Sequence, residues 1–188
     1  MLSRTFLWPQ GYTSAAMISV NLDAEFYGRI FYPGIDVSEG DIQRLGWTGM
    51  EYGLPHLLDC FREHGVKGTF FIPGRVAELY PDAVRAIADA GHELGCHGYE
   101  HEILAHFTPE EQLELLKKAK AAIEKAAGRA VTGFRMPEGE ITEQTLVAAK
   151  EAGFAYSSSL SNTDVPYIRQ PAGLPELPIS WTLFDLPY

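Results

Sequence analysis

Three residues in this sequence have the types and spacing to hold a metal ion. His97 and His101 stand four apart in His97-Gly98-Tyr99-Glu100-His101, and Asp23 closes an apolar run far upstream. Two imidazoles at i and i+4 meet at one point if the segment makes one turn, and a carboxylate from another strand end completes a three-ligand site. Such a site keeps a position open for water. Asp/His/His is a borderline nitrogen and oxygen donor set that suits Zn²⁺, with Co²⁺, Fe²⁺, Mn²⁺ and Ni²⁺ compatible by ligand type. An isolated HxxxH pair occurs commonly by chance; what distinguishes this one is that both histidines follow a strand-like run.

Other polar residues gather around the same positions. Asn21, Asp23 and Glu25 alternate with Leu22 and Ala24, so at a strand period of two they are expected to share one face. Two carboxylates beside a metal can divide the labour, one as ligand and one as general base. Arg135 in Arg135-Met136-Pro137-Glu138-Gly139 follows another strand-like run, where a guanidinium can orient a carboxylate and favour its ionised form. Cys96, beside His97, reads as a small strand residue packed under the site rather than a nucleophile. His56, His64, His92 and His106 read as surface or internally satisfied histidines. No phosphate loop of the GxxxxGKS type and no GxSxG nucleophile elbow is present.

The elements that must position these residues read as an α/β alternation with a mostly parallel sheet. Strands are expected at 15–22, 66–72, 92–97, 131–134, from 154 to 156, and at 177–180. Helices are expected from Leu54 to a stop at Gly65, over 76–90, from the capping box Thr108-Pro109-Glu110-Glu111 to Gly128, and over 142–152. In barrel-like and doubly wound sheets alike, chemistry sits at the carboxyl ends of the strands. The loop 26–50 carries Phe26, Tyr27, Phe31, Tyr32 and Trp47, and loops this long are usually functional. No repeat or linker divides the 188 residues, so one domain is expected.

Composition bounds the partners. Lys and Arg total 15 against 25 Asp and Glu, a formal charge of −10, which argues against nucleic acid and anionic membrane surfaces. Two cysteines are too few for a disulfide framework. The first ten residues lack the pattern of a signal peptide and no apolar run is long enough to span a bilayer, so a cytoplasmic protein is expected.

Four ordered motifs, Asn21-Leu22-Asp23-Ala24-Glu25, Gly68 to Gly74 (GTFFIPG), Gly91 to Glu102 (GHELGCHGYEHE) and Phe134 to Gly139 (FRMPEG), resemble the successive motifs of the polysaccharide deacetylases, the NodB-homology or carbohydrate esterase 4 family. The likeness runs over residues 15 to 188. It is strongest toward the branch of non-secreted peptidoglycan deacetylases and cyclic-imide or allantoin-hydrolysing relatives, whose later segments Ser159 to Asp164 and Leu177 to Trp181 also resemble. The resemblance implies a distorted (β/α) barrel, one divalent metal held by Asp23, His97 and His101, and hydrolysis of an N-acetyl amide or related C–N bond by water activated on that metal. Tyr99, Pro137, Asp164, Trp181 and the aromatic loop are implied to contact a glycan or small-molecule substrate.

The sequence departs from the family pattern in two places. Ala24 follows Asp23 where the family has adjacent aspartates, and Asn21 stands where this branch often has a further acid; an amide is no general base at neutral pH. The base role therefore moves to Glu25, with Arg135 orienting the acid that serves. No histidine follows His106, whereas the family's later barrel strands carry one implied to protonate the leaving group. The C-terminal barrel strands are thus expected to be missing and the barrel incomplete, and an exposed sheet edge favours a homo-oligomer. Three functions follow: a metal-dependent N-deacetylase, an allantoinase-like hydrolase of a cyclic imide or ureide, and a degenerate domain that binds a carbohydrate or metabolite without turnover.

Overall fold

The computed structural model describes residues 8–29, 46–139, 141–180 and 183. Among the described residues, seven strands form one sheet in the order β1-β2-β3-β4-β5-β7-β6. They are β1 (Ser19–Asn21), β2 (Thr69–Ile72), β3 (Glu93–Cys96), β4 (Gly133–Phe134), β5 (Tyr156–Ser157), β6 (Tyr167–Arg169) and β7 (Leu174–Glu176). All neighbours are parallel except β6 and β7. Among the described residues β1 and β6 end the sheet, giving a mixed α/β architecture with a mostly parallel, open sheet.

Helices α1 (Leu54–Glu63), α2 (Gly74–Leu79), α3 (Pro81–Asp89), α4 (Pro109–Ala127) and α5 (Glu143–Glu151) cross between the strands. The capping box forms: Thr108 accepts from the Glu111 amide while Glu111 accepts from the Thr108 amide, and Gly128 ends α4 in the left-handed conformation. The helix expected over 76–90 is two, because Pro81 disfavours helical geometry at Tyr80, which sits at φ −125°. The strand expected over 15–22 is confined to Ser19–Asn21, the residues in register with β2, and Ala15 to Ile18 are exposed. The sixth expected strand, 177–180, moves upstream to β7, reached through the unforeseen antiparallel β6. Within the aromatic loop, Ala24–Arg29 is a 3-10 turn and Gly49–Gly53 a π-helical turn leading into α1; Phe31 and Tyr32 lie outside the described residues.

Every residue of β2 is buried, so both faces of the sheet are covered there. Phe70 and Ile72 join Val84, Ile87, Leu116, Ile123, Phe134 and Leu146 in a fully buried core, each contributing about 1.5–3 kcal/mol by burial. Phe71 points to the opposite face, against Gly95, where a Cβ would stand 2.5 Å from its ring. That flat ring is the floor on which Arg135 rests, its guanidinium carbon 4.1 Å from the ring centroid. Among the described residues no helix is long and apolar enough to cross a membrane.

Candidate metal and hydrolytic site

The sheet's carboxyl ends bring the three candidate ligands together. The amide of Leu22 donates to the Phe71 carbonyl at 2.9 Å, holding the chain on the sheet up to Asp23. Ala24 then takes a φ of 47° and the chain turns into the 3-10 helix. His97 follows β3 directly, its amide bonded to the Ile72 carbonyl at 3.0 Å. The loop beyond it is gathered by the Glu102 carboxylate, which accepts from the amides of Tyr99 and Glu100, and His101 enters at φ 60°.

The ring geometry leaves both imidazoles free to ligate. His97 Nδ1 donates to the Arg135 carbonyl at 2.8 Å; since a carbonyl only accepts, the proton is on Nδ1 and the Nε2 lone pair is available. His97 Nε2 lies 3.7 Å from Asp23 Oδ1, and His101 Nε2 lies 3.6 Å from Asp23 Oδ2. These separations exceed a hydrogen bond and match neighbouring ligands around an ion bound at about 2.0–2.2 Å to each. One ligand atom from each residue lies within 4.8 Å of the others. Asp23 Oδ1 is buried with no hydrogen-bond partner. Such an orphaned carboxylate oxygen is expensive unless a cation meets it, so the residues present fit a divalent metal.

The electrostatics agree. Burial, then the charge of Glu138, pushes the Asp23 carboxyl up to about 7, against the pull of Arg135. Burial drives His97 well below its usual range and lowers His101 to about 4. The pocket therefore offers two neutral imidazoles and a carboxylate whose charge lacks compensation, a state that a cation relieves.

Around the triad, Arg135 is 3% exposed and fully engaged. Its Nε donates to the Ser158 carbonyl at 2.7 Å, one terminal nitrogen to Ser158 Oγ at 2.9 Å, and the other to Asn21 Oδ1 at 2.9 Å. The guanidinium thus orients the Asn21 amide, and it faces no carboxylate through a direct bond among these contacts. The shared face expected for Asn21, Asp23 and Glu25 does not form, because β1 stops at Asn21 and the turn at Ala24 carries Glu25 into the 3-10 helix. There Glu25 Oε2 accepts from the Tyr80 hydroxyl at 3.2 Å.

The residues named as substrate contacts are spread more widely. The Tyr99 hydroxyl donates to Glu78 at 3.0 Å and Lys118 caps its ring at 3.8 Å, so α2 and α4 engage that side chain. Pro137 is buried against Gly98, beside His97. Asp164 is exposed between β5 and β6, and Trp181 lies outside the described residues. Trp47 packs edge-on against Tyr52 with ring centroids 5.9 Å apart. Cys96 is wholly buried, and burial pushes its thiol far up, which suits a packing role.

Sequence reading assigned no role to the support behind Arg135. Ser159 Oγ accepts from the Met136 amide at 3.0 Å, and the buried Glu176 accepts from the Ser159 and Leu160 amides at 2.6 and 2.9 Å. It also assigned none to Glu138, which sits at φ 57° and acts electrostatically on Asp23 and Tyr27. A glutamate one residue before glycine gives no sign in sequence that it, too, is left-handed.

Comparison with known proteins places this geometry in context. A peptidoglycan deacetylase of Helicobacter pylori is 36% identical over 137 residues, which make up 72% of this chain and 46% of that protein. The solved structure of a candidate polysaccharide deacetylase from Mycobacterium smegmatis is similar at a TM-score of 0.86 and 36% identity, covering 95% of this chain and 63% of that one. The PuuE allantoinase shares the fold at a TM-score of 0.72 and 22% identity, over 89% of this chain and 61% of its own. The chain thus spans about half the length of the curated relative it matches. The family model for polysaccharide deacetylases matches residues 47–157, which include His97, His101 and Arg135, while the fold supplies Asp23 from outside that stretch; the chain belongs to the polysaccharide deacetylase family, whose deacetylases hydrolyse carbon–nitrogen bonds other than peptide bonds.

Proposed function

We propose that this chain carries the metal centre of a hydrolase that removes acetyl groups from an N-acetylated sugar or glycan. The observation that carries the reading is the buried triad: a carboxylate oxygen with no partner, faced by two neutral imidazoles at 3.6 and 3.7 Å. Zn²⁺ fits this donor set best. When bound, it supplies Lewis-acid polarisation and lowers the pKa of water.

The chain's own residues account for the rest of the arrangement. His97 is held in the ligating tautomer by the Arg135 carbonyl. The Arg135 guanidinium, clamped by Ser158, fixes the Asn21 amide oxygen. An amide oriented in this way can hold a substrate polar group but cannot take a proton at neutral pH. That bond favours a second reading, a domain that binds an acetylated sugar without turning it over.

One experiment separates them. Metal-stripped protein reloaded with Zn²⁺ is assayed for acetate release from an N-acetylglucosamine oligomer, with a cyclic imide in parallel, and its zinc content is measured beside that of His97→Ala. Zinc-dependent acetate release supports deacetylation, and opening of the cyclic imide alone shifts the substrate class. Oligomer binding with neither reaction establishes the binding domain.

A further inference from the structure

Among the described residues, three that are not glycine have positive φ: Ala24 at 47°, His101 at 60° and Glu138 at 57°. Ala24 follows one ligand of the triad and His101 is another. Left-handed backbone at a residue with a side chain is strained and collects where the surrounding structure enforces it for function. Glu138 is the third such residue, and it is not one of the three candidate ligands.

Its neighbours fix its place. The chain leaves β4 with the Arg135 amide bonded to the Cys96 carbonyl at 2.8 Å and the Arg135 carbonyl bonded to His97. The Pro137 ring then lies against Gly98, 3.3 Å from where a Cβ would stand. Having been laid along the histidine loop, the chain turns at Glu138 into a short 3-10 turn (Pro137–Gly139). Groups that arrive from the other flank, Asp23 after β1 and Tyr27 in the 3-10 helix, lie within electrostatic reach of its charge. Glu138 is solvent-accessible, as a group that meets substrate must be. Among the described residues near the site, Asn21 is hydrogen-bonded to Arg135, Glu25 to Tyr80 and Glu102 to the loop amides.

Resting on the deacetylase reading, we propose that Glu138 is the catalytic carboxylate that carries the proton. One O–H bond of the attacking water breaks as its oxygen bonds to the acetyl carbon, and the proton passes to a Glu138 oxygen. The proton then goes to the departing nitrogen as the C–N bond breaks. One carboxylic acid and one amine leave, and Glu138 returns to its ionised form. The left-handed backbone at Glu138 turns the chain one residue past the contact of Pro137 with the histidine loop, and its acid takes the role that Asn21 cannot fill.

The test uses the zinc-loaded 188-residue protein with Glu138→Gln and Glu138→Gly. Glu138→Gln is expected to keep wild-type zinc content, Tm and KM while kcat falls by about 10²–10⁴-fold, the usual contribution of a positioned acid or base. Glu138→Gly is expected to lose kcat equally yet to melt at a higher temperature, because glycine adopts positive φ without strain. Wild-type turnover by Glu138→Gln overturns the assignment, as does loss of zinc from that variant or a fall in Tm on Glu138→Gly. If the wild type itself releases no acetate, the deacetylase reading fails and this assignment with it; acetate release undiminished in Glu138→Gln defeats this assignment alone.

Discussion

At the scale of single residues, the site is tuned by what it lacks. Asp23 is 11% exposed, has one oxygen without a partner, and holds its proton up to about 7. Against its ordinary value near 3.8, the metal-free fold loses stability as pH rises through that window, because the unfolded chain releases the proton first. His101 works the other way: lowered from 6.5 to about 4, it destabilises the fold as pH falls below about 6.5, because the unfolded chain binds the proton first. A divalent cation cancels the first effect and competes with protons for all three ligands. The rise in Tm on adding Zn²⁺ should therefore grow between pH 5 and pH 8, reaching about 5–10 °C where zinc stands at about a hundred times its Kd. A thermal-shift series against pH, with and without zinc, checks this; a shift independent of pH contradicts it. The triad was legible in the sequence because four-residue spacing and strand-end placement constrain where side chains can meet. Glu138 was not, since backbone handedness at a glutamate is imposed by tertiary contacts.

At the scale of elements, the loop after β4 is the hub. It holds the His97 ring through a carbonyl, presses Pro137 onto Gly98, and hangs from Ser158 and Ser159 just past β5, where Glu176 of β7 in turn accepts from the Ser159 amide. Beneath it the Phe71 ring supports the guanidinium only because Gly95 gives it room. Gly95→Ala places a Cβ 2.5 Å from that ring and should destabilise the protein by about 1–3 kcal/mol, lowering Tm by about 2–4 °C for each kcal/mol. Displacing the floor of Arg135 should lower activity as well. Calorimetry of the variant tests this, and an unchanged Tm contradicts the packing account. Helix α4 was legible to the residue at both ends, since its caps are local chemistry. The strand set was less so, because β1 is only as long as its partner allows and β6 forms by pairing with β7 rather than through any pattern of its own.

At the scale of the whole molecule, the described strands form an open sheet with β1 paired on one side only. The chain spans 46% of its Helicobacter pylori relative and 63% of the Mycobacterium smegmatis structure. An unpaired parallel edge is a template for association. Expressed as these 188 residues the protein is expected to self-associate, and light scattering showing a monodisperse monomer would contradict that. The charge of −10 directs the search for substrates toward glycans and small molecules and away from nucleic acid.

All of this depends on a metal between Asp23 and the two histidines. The most direct measurement is the zinc content of the reloaded protein after exhaustive dialysis, wild type beside His97→Ala. One zinc per chain in the wild type, lost from a folded His97→Ala protein together with acetate release, is the result expected here. Equal zinc content and equal activity in the two proteins would contradict it.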